Sequence, residues 1–133
     1  MNNWLAIGPA DNWKLGLDGK VWGFAVRHGK AWARINPGDR LFFYATAPVK
    51  GIIGYGTVRR TFQGRSPFWP EEKKRGEILW PFRVEFSVER ALPGKDWETK
   101  RLELDRRGVV FQRALQPLDA GKAGRLLKSL AKL

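Results

Sequence analysis

An α+β fold, a small and strongly bent β-barrel flanked by short helices, is predicted by three observations. Short runs rich in β-branched and aromatic residues alternate with Gly- and Pro-containing turn signals over most of the chain. Ile52 to Phe62 alternates small and large residues with Gly54 and Gly56 on one face, the pattern of a curved barrel strand. After Asp119 the apolar period changes to that of a helix.

The elements follow in order. Asn3 to Gly8 reads as a strand closed by a Gly-Pro turn. Val21 to Val26 is a second apolar run, and Gly23 inside it marks a bend or a close backbone approach. Residues 29–35 suit a helical turn, with Ala31, Trp32 and Ile35 on one face. Asn36-Pro37-Gly38-Asp39 is a turn, and Arg40 to Ala45 is a strand dense in aromatics. In that strand Leu41 and Phe43 point one way, and Phe42 and Tyr44 the other. Ala47 to Gly51 is a further turn before the curved strand. Residues 63–77 form a long loop rich in Pro, Gly and charge. Ile78 to Arg90 is a strand with Phe82, Val84, Phe86 and Val88 on one face and Arg83, Glu85, Ser87 and Glu89 on the other. Pro81 places that strand at an edge or a bulge. At the end, Asp119 caps a helix whose stripe is Ala123, Leu126, Leu127, Leu130 and Ala131.

The 133 residues fit one domain, 1–133. With no Cys and one His, disulfides, thiol catalysis, Cys-ligated zinc and multi-His metal sites are excluded. None of Ser66, Ser87 and Ser129 sits in a nucleophile elbow. The expectation is therefore no cofactor, no metal and no catalytic residue. No apolar run approaches the roughly 20 residues that cross a bilayer, and MNNWLAIG lacks a signal-peptide pattern. A soluble, cytoplasmic protein without a membrane partner is expected. The chain carries 25 Lys+Arg against 13 Asp+Glu, a net charge of +12, together with seven Trp and eight Phe. That pairing points to a polyanion, nucleic acid first. Residues 59–133 hold eighteen of the basic residues and ten of the acidic ones, so most of the excess lies there.

The order Trp22-Gly23-Phe24-Ala25-Val26-Arg27-His28, then Asn36-Pro37-Gly38-Asp39 with the strand ending in Tyr44, then Gly51 to Val58, then Trp80-Pro81-Phe82-Arg83-Val84, resembles the EVE domain family of the PUA-like superfamily. Residues 109–130 resemble that family's closing segment, a polar strand and then a helix. The resemblance covers nearly the whole chain. It implies a PUA-like pseudobarrel of about five or six strands with helices outside, as in PUA and YTH domains. It also implies a pocket for one flipped, modified base. YTH relatives read methylated adenine in RNA with an aromatic cage, and EVE domains are linked to modified cytosine in DNA. The chain departs from the larger EVE pattern in having Trp22-Gly23 without an acid between them and His28 where Asn is common.

The candidate base pocket is Trp22, Gly23, Phe24, Tyr44, Trp80, Pro81 and Gln112. A flipped base is held by stacking on aromatic walls, worth about 1–3 kcal/mol per base, and by hydrogen bonds to its polar edge. Trp22 and Trp80 also read as ordinary core or edge packing, and Tyr44 as a half-buried barrel residue; the resemblance favours the pocket for Trp22. Arg27, His28, Arg113, Arg59, Arg60, Lys73, Lys74 and Arg75 are candidate polar or phosphate contacts, with Arg65, Arg106 and Arg107 beside them. Phe68 and Trp69 form either a loop clamp for the strand or a plug turned back into the core. Two other readings stand beside the binding module. One is an RNA- or nucleoside-processing enzyme of ASCH type, for which Asp39 is the acid near the aromatic strand. The other is a small-ligand module holding a free nucleoside.

Overall fold

The computed structural model describes residues 1–133. Six strands, β1 (Asn3–Gly8), β2 (Val21–Phe24), β3 (Arg40–Ala45), β4 (Gly51–Gln63), β5 (Phe82–Ala91) and β6 (Leu115–Pro117), form one sheet in the order β2-β5-β4-β3-β1-β6. Only β1 and β3 run parallel; the other neighbours are antiparallel. Five helices accompany the sheet: α1 (Ala10–Gly19), α2 (Gly29–Trp32), α3 (Pro70–Arg75), α4 (Trp97–Lys100) and α5 (Ala120–Ala131). The six strands and the C-terminal helix agree with the expected pseudobarrel of about five or six strands flanked by helices.

The sheet curls along β4. Its register against β5 slips between Tyr55 and Gly56 and again between Val58 and Arg60, and each bulge adds twist. A side chain at Gly54 would run into the carbonyl of Arg90, and one at Gly56 into that of Ser87. The two glycines let the backbones of β4 and β5 close together at the bend. Both faces are covered. Leu41 and Phe43 of β3 join Trp4, Trp13, Trp22 and Phe86 in one cluster, and Phe42 and Tyr44 join Leu5, Ile52, Leu126 and Leu130 in the other. The second cluster includes Ala123, Leu126 and Leu130 from the stripe of α5, whose first turn is capped by Asp119 accepting from Lys122 N.

Four boundaries differ from expectation. Helix α1 occupies a stretch that reads as polar because only Trp13 and Gly16 are buried on it. The second strand stops at Phe24, and Val26 lies 69% exposed in a short 3₁₀ turn. Helix α3 forms inside the long loop, with Pro70 in its first turn and Gly76 at positive φ beyond its end. Strand β5 begins at Phe82 and lies between β2 and β4, not at an edge. Pro81 is tolerated because it precedes the ladder, where only its carbonyl is used, accepting from Gly64 N at 2.7 Å.

Asp39 closes the turn before β3. Its carboxylate accepts from Asn2 N, Trp4 Nε1 and Asn36 N, each at 2.9 Å. Burial pushes its carboxyl upward, but the bonds from Asn2, Asn36 and Trp4, with the N-terminal ammonium, outweigh it and hold the group below the ordinary carboxylate value. A group lowered by folding stabilises the fold at neutral pH, and that stabilisation is lost as pH falls below the ordinary carboxylate value and through the lowered one. Thermal melts of wild type and Asp39→Asn at pH 7 and pH 3 should therefore show the smaller acid-induced drop in the variant. Equal drops would place the acid sensitivity elsewhere.

Candidate functional site

At the carboxyl end of β1 the chain turns through Gly8 and Pro9 into α1. Between this turn, β2 and the 69–80 segment lies a cavity of about 110 Å³. Its walls are Ile7, Gly8, Pro9 and Asn12 from the turn and α1, then Trp22, Gly23, Phe24, Ala25, Arg27 and His28 from β2 and beyond, and finally Trp69, Trp80 and Ala114. Trp22 backs onto Trp13, the rings 3.6 Å apart and 7° from parallel. Trp69 meets Trp22 edge-on, 5.7 Å away at 78°, and Trp80 meets Trp69 in the same way at 5.6 Å and 84°. Gly23 allows this closeness: a Cβ there would lie 2.8 Å from Trp80 Cβ and 2.9 Å from the Trp69 ring. Gly16 does the same for α1, where a Cβ would lie 2.8 Å from Trp22.

The indole N–H groups divide the seven Trp. Trp4 donates to Asp39, Trp13 to Tyr44 O, Trp32 to Arg83 O, Trp69 to Asn12 O and Trp97 to Leu92 O. Trp22 and Trp80 have no partner in the protein, although Trp22 is only 4% exposed. Neither N–H is among the polar atoms sealed inside the fold. A buried Trp ordinarily finds an acceptor for its N–H, and these two unused donors belong to the two Trp that wall the cavity beside Trp69.

A buried ion pair holds these walls. Glu72 is fully buried and Arg83 nearly so, with Arg83 Nη2 at 3.1 Å from Glu72 Oε1. Glu72 also accepts from the backbone N–H groups of Phe68, Trp69, Leu79 and Trp80, at 2.9–3.3 Å. Arg83 donates to Trp80 O and Ser66 O, and its guanidinium lies 5.4 Å from the Trp69 ring centroid. One carboxylate thus fixes the backbone on both sides of α3 at the two residues that supply cavity walls. In sequence Glu72 falls in the charged 63–77 loop and Arg83 on the strand face opposite Phe82 and Val84. The signal available was Glu72 three residues after Trp69, at the start of a short helix, the acidic half of a capping box.

At the other wall Arg27 Nε donates to His28 Nε2 at 3.3 Å, which leaves the ring proton on Nδ1. Burial first, and the charge of Arg27 second, lower the imidazole below its ordinary value, so His28 is neutral at pH 7.

Of the residues read as a base pocket, Trp22, Gly23, Phe24 and Trp80 come together here, with Arg27 and His28. Tyr44 does not join them. The alternation along β3 sends it to the opposite face, where it borders a wider cavity of about 450 Å³ with Lys50, Arg106 and Phe111. Its hydroxyl is raised above the ordinary value by burial, which outweighs Arg106 and Arg101. Pro81 lies outside the cavity wall, before β5. Gln112 and Arg113 precede β6 and border a neighbouring groove that also touches Arg27 and His28. Trp69 is not an exposed clamp: it is 2% exposed, its N–H is bound to Asn12 O, and Phe68 packs edge-on against it at 4.8 Å. Arg59 and Arg60 lie exposed on β4, where Arg60 pairs with Glu85. Lys73, Lys74 and Arg75 lie exposed on α3, and Arg75 pairs with Glu71 at 2.8 Å. Arg65 is exposed in the loop before α3, Arg106 covers the Phe111 ring at 4.6 Å, and Arg107 pairs with Asp105. Asn12 was missed, because α1 was missed. Asn12 borders the cavity, and its side-chain amide makes no hydrogen bond within the protein; Trp13, Gly16 and Leu17 at helical spacing are the available signal.

The curled mixed sheet with helices on both sides has the architecture of a PUA-like pseudobarrel. The chain belongs to the EVE domain family, whose model matches residues 2–118. A UPF0310 protein of Pyrococcus abyssi is 46% identical over 84 residues, 63% of this chain; the matched stretch spans 42% of that relative's length. Among solved structures, Rpa0253 from Rhodopseudomonas palustris superposes with a TM-score of 0.65 at 18% identity, covering 100% of this chain and 95% of that one. The ASCH protein from Zymomonas mobilis gives 0.61 at 20% identity, covering 96% and 94%. The Mmi1 YTH domain in complex with RNA gives 0.66 at 12% identity, covering 98% and 78%. No helix is long and apolar enough to cross a membrane.

Proposed function

We propose that this protein binds a nucleic-acid strand and holds one modified base in the cavity walled by Trp22, Trp69 and Trp80. The observation that carries the reading is that Trp22 and Trp80, the two Trp whose indole N–H groups have no acceptor in the protein, line one aromatic cavity. They offer hydrogen bonds to acceptors on a planar ligand, and the free amide of Asn12 adds a donor and an acceptor for its polar edge. The cavity is well below the roughly 300–1,000 Å³ of ordinary small-molecule pockets, which suits a single base. The wider cavity beside Tyr44 lacks this combination, because its polar wall is formed by Lys50, Arg106 and Glu103 at the surface. The net charge of +12 supplies attraction to phosphate. A YTH domain of similar fold has been solved with RNA, which favours the same class of partner here.

A methyl group buried against the indoles is worth about 0.8 kcal/mol, so a methylated base should bind roughly fourfold tighter than its plain counterpart. The test uses matched DNA and RNA strands that differ only in one methylated base. Trp80, which is half-buried and whose indole N–H has no acceptor in the fold, is the wall to remove. Trp80→Ala should bind both strands alike while keeping its far-ultraviolet circular dichroism. Equal affinity for methylated and plain strands in the wild type, across adenine and cytosine, would contradict the pocket.

A further inference from the structure

Beside the aromatic cavity runs a shallow groove of about 620 Å³ between α2 and the segment entering β6. Arg27 and His28 border both, so groove and cavity adjoin across these two residues. Its cationic side chains are Arg27, Lys30, Arg34 and Arg113, all exposed. No carboxylate lines it, and none of the four makes an ion pair. Between Asp18 and Asp39 the chain holds no acidic residue, so no sequence neighbour offsets Arg27, Lys30 and Arg34.

The groove is also pre-shaped. Arg34 lies 6.0 Å from the Trp4 ring centroid, and Arg27 is tethered to the neutral His28. The loop that presents Gln112 and Arg113 is fastened by Gln116, 6% exposed. Gln116 Nε2 donates to Val110 O at 2.7 Å and Arg113 O at 2.9 Å, and its Oε1 accepts from Val110 N at 3.0 Å. By contrast, the basic run on α3 is partly offset: Lys73, Lys74 and Arg75 stand beside Glu71 and Glu77, and Arg75 pairs with Glu71.

We propose that the phosphodiester backbone of a bound strand lies in this groove, gripped by Arg27, Lys30, Arg34 and Arg113, while the adjoining cavity takes the base. The proposal rests on the nucleic-acid reading above, and it assigns affinity and base selectivity to separate surfaces. Positive charges facing consecutive phosphates release counterions, which makes binding fall with salt at a slope of about 0.7 per neutralised phosphate on a single strand.

The test is a salt titration of binding to single-stranded DNA and RNA, with and without the methylated base, for Lys30→Ala/Arg34→Ala and Lys73→Ala/Lys74→Ala. All four side chains are exposed, and far-ultraviolet circular dichroism checks the fold. The groove variant should show a slope shallower by about 1.4 and an affinity loss on the order of tenfold at about 0.15 M salt. The loss should be equal for methylated and plain strands, and the α3 variant should bind as wild type. An unchanged slope in the groove variant, or the same loss in the α3 variant, overturns the proposal. So does polyglutamate that displaces the strand at equal charge concentration, since the groove would then be a general acidic-peptide site. If wild type ignores the methyl group but the groove variant still loses slope, the base reading fails and the backbone groove stands.

Discussion

Glu72→Ala is expected to destabilise the protein by about 3–5 kcal/mol, the usual cost of removing one partner of a buried ion pair. Two consequences add. The Arg83 guanidinium stays buried with its countercharge gone, and the N–H groups of Phe68, Trp69, Leu79 and Trp80 lose their common acceptor. Glu72→Gln keeps an acceptor oxygen and should fall between wild type and Ala. Replacing both partners, Glu72→Gln with Arg83→Met, removes the stranded charge and should recover part of the loss. Urea unfolding of the set measures this. A Glu72→Ala loss below about 1 kcal/mol is what an exposed pair gives, and would contradict the buried bracket.

Trp22→Ala is the second large effect, again about 3–5 kcal/mol, as for other buried Trp truncations. Trp22 stacks on Trp13, meets Trp69 edge-on and fills the space left open by Gly8 and Gly16. Trp22 is thus a core residue and a cavity wall at once. Loss of binding in Trp22→Ala would confound pocket and fold, whereas Trp22→Phe keeps a ring on Trp13 but removes the unused N–H. The Phe variant should retain most of the unfolding free energy. Wild-type stability in Trp22→Ala would contradict the stacked arrangement.

The parts legible in the sequence are those where one periodicity dominates. Leu41 to Tyr44 alternates so strongly that both clusters can be read from it, and Leu126 and Leu130 mark the buried face of α5. Gly54 and Gly56 foretold the bend of β4 because only close backbones ask for two bare positions on one face. The candidate site was half legible. Trp22 and Gly23 stand out beside each other, but Tyr44 was drawn to the same cavity although its own alternation sends it elsewhere. Asn12 was hidden because α1 buries only Trp13 and Gly16 and carries Gly and Asp residues that read as loop. Glu72 was hidden by its neighbours: a carboxylate in a run of charges looks solvated until backbone donors on both sides of it converge. Of the two readings of Trp69, clamp or plug, the plug is the one adopted, since Glu72 and Arg83 turn it inward.

The most direct measurement follows the seven indole N–H resonances of ¹⁵N-labelled protein during titration with a strand carrying one methylated base. The two donors without a partner, on Trp22 and Trp80, should shift strongly as they find acceptors. Trp4, Trp13, Trp32 and Trp97, already bonded to Asp39, Tyr44 O, Arg83 O and Leu92 O, should barely move. Saturating binding that leaves Trp22 and Trp80 in place, or that shifts all seven alike, would contradict a base seated in the cavity.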